Sequence, residues 1–225
     1  MKRLSNFPKI ECPYIRKVYN VNKDDWKKYG NSLQLRSPEV YLVTPEINPE
    51  YEWVFENKDV IASEKLDGTN IKLETEDGRL TSLMNRKNII DPLQIMKGKT
   101  FIVEGVFRAI QKGFIDNDGV QSGELIGPKV QGNPYKLNNH IWYPFTKCVN
   151  HLAYRSFYEH DRTFDNWSDW FEKYLVSRFA TKRCERGIMA EGLVFYSPRR
   201  IVEGKVFMAK LRRDMFRWYY SDKIG

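Results

Sequence analysis

Apolar positions fall into short alternating runs through most of the chain and into helical stripes in two places. "VYLVTPEI" (40–47) reads as a short strand, and "DVIASEK" (59–65) as another, rich in small and β-branched residues. "NIKLETEDGRLTSLM" sets Ile71 and Leu73 on one side and resumes at Leu80, around an Asp77-Gly78 step that signals a hairpin turn. "TFIVEGVFRAIQKGF" (100–114) places Val103, Val106, Phe107 and Ile110 at helical spacing, with Gly105 weakening the helix. "SGELIG" and "HIWYPF" read as short buried strands.

The longest stripe is "DNWSDWFEKYLVSRFATKR" (165–183). It predicts one helix with Trp167, Trp170, Phe171, Tyr174, Leu175 and Phe179 on one face, capped by Asp165 or Ser168. This aromatic face reads as core packing. "AEGLVFYS" and "KVFMAKLRR" predict two closing strands. Antiparallel hairpins with helices inserted between them make the expected fold class α+β. No tandem repeat or low-complexity linker interrupts the pattern.

Composition narrows this further. The 225 residues are 41% hydrophobic and 14% aromatic, enough for a folded core. No run approaches the roughly 20 apolar residues that span a bilayer, and "MKRLSNFPKIECPY" lacks the apolar run of a secretory signal. No membrane role is expected. Three scattered cysteines, Cys12, Cys148 and Cys184, fit neither a disulfide framework nor a zinc site. A reducing cytoplasmic setting is the expectation. Lys and Arg total 37 against 29 acids, a net +8 that suits a polyanionic partner such as nucleic acid and equally suits plain solubility.

The chemistry centres on "ASEKLDGTN" (62–70). Lys65 stands at the end of a strand, before Asp67-Gly68. Alone, this is a solvated lysine ahead of an Asp-Gly turn. An amine becomes a nucleophile when its surroundings favour the neutral form. Attack on phosphorus further requires a held nucleotide, neutralised phosphates and an in-line leaving group.

The segment resembles the lysine motif of the covalent nucleotidyltransferases, the polynucleotide ligases and mRNA capping enzymes. Thr69-Asn70 after the glycine makes it most similar to the RNA ligase 2 group. Further segments resemble the family's motifs in the same order. "SLMNRKN" supplies Arg86, 21 residues past Lys65, where the family has a strand arginine contacting the nucleotide and a 5′-phosphate. "GELIGPKVQGNPY" supplies Glu124 for a ribose hydroxyl and Gln131 near the nucleic-acid end. "HIWYPFTK" offers Phe145, 21 residues past Glu124, to stack on adenine, with Trp142 and Tyr143 as substitutes. Thr146 stands where the family usually has an aspartate. "AEGLVF" supplies Glu191 as a metal-associated carboxylate. "VFMAKLRRDMF" supplies Lys210 and Arg212 for the α-phosphate, two apart on one strand face, with Arg212 where lysine is more usual. The resemblance spans about residues 60–212.

The resemblance implies a nucleotidyltransferase fold of the DNA ligase adenylation type, ATP-grasp-like, with antiparallel sheets, flanking helices and a nucleotide cleft. Residues 51–225 would be the adenylation domain and residues 1–50 an extension packed on it. Only 13 residues follow Arg212, so a minimal form without an OB domain is expected, with a partner protein as a stand-in. The implied activity is ATP-dependent RNA ligation. Lys65 takes AMP from ATP, AMP passes to a 5′-phosphate, and a 3′-hydroxyl seals the strand. Glu64 would read adenine through its backbone or side chain. Asn70 would hold a metal-bound water or a phosphate at the strand end. The implied cofactors are ATP and magnesium, with manganese as a substitute. A DNA ligase and a non-catalytic nucleic-acid-binding module are the alternatives.

Overall fold

The Asp77-Gly78 step forms the turn that its sequence predicts. Both residues have positive φ (49° and 71°), and Glu76 pairs with Arg79 across it. The hairpin lies in a computed structural model that describes all residues except 1–2, 5–7, 34, 36, 57, 94–97, 156, 158–160, 203–204 and 221–225, and except the side chains of 198–202 and 205–206. The chain divides into two units. One comprises residues 1–9, 66–153 and 178–188, and the other residues 10–65, 154–177 and 189–225.

The first unit is built on a five-stranded antiparallel sheet. Its strands are β4 (Thr69–Glu76), β5 (Arg79–Asn85), β6 (Asn88–Ile89), β7 (Gly119–Ile126) and β8 (Ile141–Pro144), in the order β6-β5-β4-β7-β8. Ile71, Leu73, Leu83, Leu125 and Trp142 bury one sheet face against helix α3 (Thr100–Gln111). The helix turns Ile102, Gly105, Val106 and Ala109 inward, while Phe107 and Ile110 are about half exposed. The buried face is thus rotated from the predicted one. Gly105 is the reason: a Cβ there would lie 2.2 Å from Leu125 Cδ1, so the helix meets the sheet through its glycine. Helix α4 (Phe145–His151) follows β8 directly, so Phe145 opens a helix rather than ending the predicted strand. A short helix α6 (Arg178–Thr181) places Phe179 and Ala180 in a second cluster with Leu66, Ile126, Tyr135 and Cys148.

The second unit holds two antiparallel sheets. β1 (Tyr14–Asn20) pairs with β2 (Glu39–Ile47), and β3 (Ile61–Lys65), β9 (Gly192–Val202) and β10 (Lys205–Arg212) lie in the order β10-β9-β3. Helices α1 (Lys23–Tyr29) and α2 (Trp53–Glu56) belong to this unit. Ala62, Leu193, Phe195, Ala209 and Leu211 bury one sheet face with Trp167 and Phe171 of α5 (Phe164–Lys173). Trp167 stacks on Phe195 with centroids 5.3 Å apart.

The single helix predicted over 165–183 is broken. Thr163, not Asp165 or Ser168, caps α5, which ends at Lys173. Beyond it the Leu175 carbonyl accepts from Ala190 N and the Val176 carbonyl from Tyr154 Oη. Long-range donors therefore occupy the acceptors that a continuing helix would use. Tyr174 turns out to solvent. Among the described residues no helix is long and apolar enough to cross a membrane.

Candidate active site

Three strands of the second unit carry a charged group. Lys65 on β3 pairs with Gly192 on β9, which pairs with Arg212 on β10, and the row behind runs Ser63, Val194, Lys210. Strand alternation puts Lys65, Lys210 and Arg212 on one face. Gly192 between Lys65 and Arg212 carries no side chain, and a Cβ there would fall 2.2 Å from Leu211 O. The two cations both reach Glu191 at the start of β9. Lys65 Nζ lies 2.5 Å from Glu191 Oε2, and Arg212 Nη1 3.6 Å from Oε1. Arg213 N anchors the Glu191 carbonyl at 2.9 Å.

Asp214 completes the group, with Oδ1 3.1 Å from Arg212 Nε. Burial pushes its carboxyl above the ordinary value, against the pull of Arg212. Burial also holds the Lys210 ammonium below its ordinary value, reinforced by the charges of Arg212 and Lys65. This cluster is a cationic surface able to neutralise a phosphate, with an amine and a carboxylate in direct contact inside it.

Glu64 lies on the opposite face. It pairs with Leu193 and is almost fully buried, and its Oε1 accepts from the buried Ser177 Oγ at 2.6 Å. The expectation that its side chain reads adenine fails for this reason, since adjacent strand residues point to opposite faces.

In the first unit the predicted residues form a cross-strand row. Asn70 on β4 pairs with Glu124 on β7, which pairs with Tyr143 on β8. Their face is the one opposite Ile71, Leu125 and Trp142. Trp142 is fully buried, and its indole N–H donates to Ile71 O at 3.1 Å, so it is a core residue and not an adenine platform. Phe145 and Tyr143 are half-buried. Arg86 was expected on a strand. It lies just past β5 in the turn to β6, exposed and at φ 53°.

The turn after Lys65 is held within this unit. Asp67 N donates to Tyr135 Oη at 2.8 Å, and Gln131 Nε2 donates to Gly68 O at 3.3 Å. A Cβ at Gly68 would sit 2.3 Å from Leu125 O, so only glycine lets β4 begin this close to β7.

Asp214, Ser177 and Tyr135 were missed in the sequence. Asp214 had a local signal, two residues past Arg212. The others act from far along the chain. Among the described residues no group of three or more His, Cys, Asp or Glu is placed to hold a metal ion. A metal here would lean on Glu191.

No protein-family model matches the chain, and no curated protein matches it. Solved structures do. A mutant of Naegleria gruberi RNA ligase with ATP and Mn is 18% identical over 75% of this chain and 53% of its own, at a TM-score of 0.47. The same ligase with PPi matches at 18% identity over 75% of this chain and 53% of its own, with a TM-score of 0.45. Another of its mutants with ATP and Mn is 15% identical over 99% of this chain and 61% of its own, at 0.43. The chain spans about half to three-fifths of the length of these structures. All three of these matches are structures of the same Naegleria gruberi RNA ligase.

Proposed function

We propose that the protein is an ATP-dependent RNA ligase that works through a covalent lysyl-AMP. The observation that carries this reading is the contact of Lys65 with Glu191, flanked by Arg212 and Lys210 on the same sheet face. The ordered motifs from Lys65 to Arg212 support it from the sequence.

In the first step Lys65 gives up a proton, for which Glu191 Oε2 is the adjacent acceptor. Its nitrogen then attacks the α-phosphorus of ATP. An N–P bond forms, the bond to the bridging oxygen breaks, and pyrophosphate leaves. Arg212 and Lys210 offset the charge that builds on the phosphoryl oxygens. In the second step an oxygen of a 5′-phosphate attacks the same phosphorus, and Lys65 departs and regains a proton. In the third a 3′-hydroxyl attacks the activated 5′-phosphate, its proton leaves, and AMP is released.

Glu124 is assigned to the ribose, Phe145 or Tyr143 to adenine, and Arg86, Asn70 and Gln131 to the nucleic-acid end. The adenylation domain would start near residue 51, with residues 1–50 as an extension. Magnesium suits a single hard carboxylate supplemented by waters and substrate phosphates, which is what Glu191 offers. When bound, it would withdraw charge from the phosphates.

Incubation with α-labelled ATP and magnesium tests the reading. Label should survive denaturation of the wild type and vanish in Lys65→Ala. No label on wild-type protein refutes the enzyme. Sealing of nicked RNA in preference to nicked DNA tests the substrate.

A further inference from the structure

The chain just past β10 is tied down on both sides. Arg213–Met215 forms a short 3₁₀ turn. Arg213 Nε donates to Phe171 O at 2.9 Å and its Nη2 to Glu172 O at 3.3 Å, both on α5. Arg213 N holds the Glu191 carbonyl, and Tyr220 Oη donates to Asp214 O at 2.8 Å. Met215 and Phe216 are buried next to it. These bonds fix the backbone of Asp214 and leave its carboxylate beside Arg212.

The carboxylate meets one edge of the guanidinium. Arg212 Nε and Asp214 Oδ1 are 3.1 Å apart, both atoms are buried, and neither makes a hydrogen bond among the described residues. They meet as an ion pair closed to solvent. At the other end of the guanidinium, Nη1 lies 3.6 Å from Glu191 Oε1, too far for a hydrogen bond. Glu191 gives its other oxygen, Oε2, to Lys65 Nζ at 2.5 Å. The charges thus run in order from Asp214 through Arg212 and Glu191 to Lys65, with Asp214 at the fixed end. A guanidinium is a rigid planar fork, so engaging its Nε edge settles where its terminal nitrogens point. We propose that Asp214 is a positioning residue for the adenylation step. It holds Arg212 by the Nε edge, aims the Nη nitrogens at the α-phosphate, and keeps Arg212 from closing on Glu191. Released from Asp214, Arg212 would take Glu191 in a bidentate pair and occupy the acceptor of the Lys65 proton. A lysine at 212 would bring the charge without an edge for Asp214 to hold. The inference rests on the adenylation reading above.

Asp214→Ala and Asp214→Asn, each made in the wild type and in Arg212→Lys, test it by single-turnover labelling across a range of α-labelled ATP concentrations. With Arg212 present, Asp214→Ala should slow lysyl-AMP formation at saturating ATP about 10²-fold, the scale of a misplaced group. Asp214→Asn should cost less, since its amide oxygen can still meet Nε. Neither should raise the ATP concentration for half-maximal rate, because removing a carboxylate leaves the site no less cationic. In Arg212→Lys the same changes should cost about twofold or less, since the group they act through is gone. A wild-type rate in Asp214→Ala would overturn the proposal. So would equal losses in the two backgrounds, or a slower rate accompanied by weaker hold on ATP, since each marks a residue that merely supports the fold. If Arg212→Lys takes no label, the split between rate and ATP concentration decides alone. In all these cases labelled wild-type protein still upholds the ligase reading, whereas wild-type protein that takes no label overturns both.

Discussion

Lys65 Nζ and Glu191 Oε2, 126 residues apart in the chain, meet at 2.5 Å. The contact exists because β3 and β9 pair with Lys65 opposite Gly192, so the residue just before that glycine reaches the amine. A lysine held as an ammonium cannot attack phosphorus, and its partner is the natural acceptor of the proton. Glu191→Gln should therefore lower the rate of lysyl-AMP formation by about 10²-fold or more while leaving the melting curve close to wild type. Single-turnover labelling beside thermal unfolding measures both.

Glu64 and Lys65 adjoin in sequence and have opposite fates. Ser177→Ala removes a hydrogen bond from the buried Glu64 carboxylate and should cost about 1–3 kcal/mol. Lys65→Ala leaves Glu191 paired with Arg212 and should change stability by about 1 kcal/mol or less. Urea unfolding of the two variants should separate a structural neighbour from a chemical one.

The aromatic residues of "HIWYPF" should divide in the same way. Trp142→Phe leaves Ile71 O without the indole donor and is expected to destabilise by about 1–3 kcal/mol, with little change in the KM for ATP. Phe145→Ala should raise that KM about tenfold, the scale of one lost base–aromatic stack. Steady-state labelling against ATP concentration, with unfolding curves for each variant, gives both readings.

Lys210 gives a pH signature. Its folded pKa is below the ordinary 10.5, chiefly through burial. Between the lowered value and 10.5 the unfolded chain binds more protons than the folded one, so stability from this group rises with pH across that window. Below the window the buried charge is a constant cost. Lys210→Met removes the titration, so the stability difference between wild type and variant should move in favour of wild type as pH climbs toward 10.5. Chemical denaturation at a series of alkaline pH values follows it.

Local rules carried much of the fold. Asp77-Gly78 needs nothing beyond its own conformational preference to make a hairpin, and alternation alone places Ile71 with Leu73. They failed where distant partners decide. Val103, Phe107 and Ile110 have good helical spacing, yet the buried face is set by how closely Gly105 approaches Leu125. The stripe from Trp167 to Phe179 is periodic throughout, but its backbone acceptors at 175 and 176 are claimed by Ala190 and Tyr154, and no local pattern encodes that.

Motif chemistry and short-range periodicity were enough for the residue types of the candidate site, their order along the chain and the α+β class. That Glu191 touches Lys65 and that Trp142 belongs to the core came from the tertiary structure. Each of these depends on strand register and on pairing between segments distant in the chain, which is set by how whole faces bury rather than by any local run of residues.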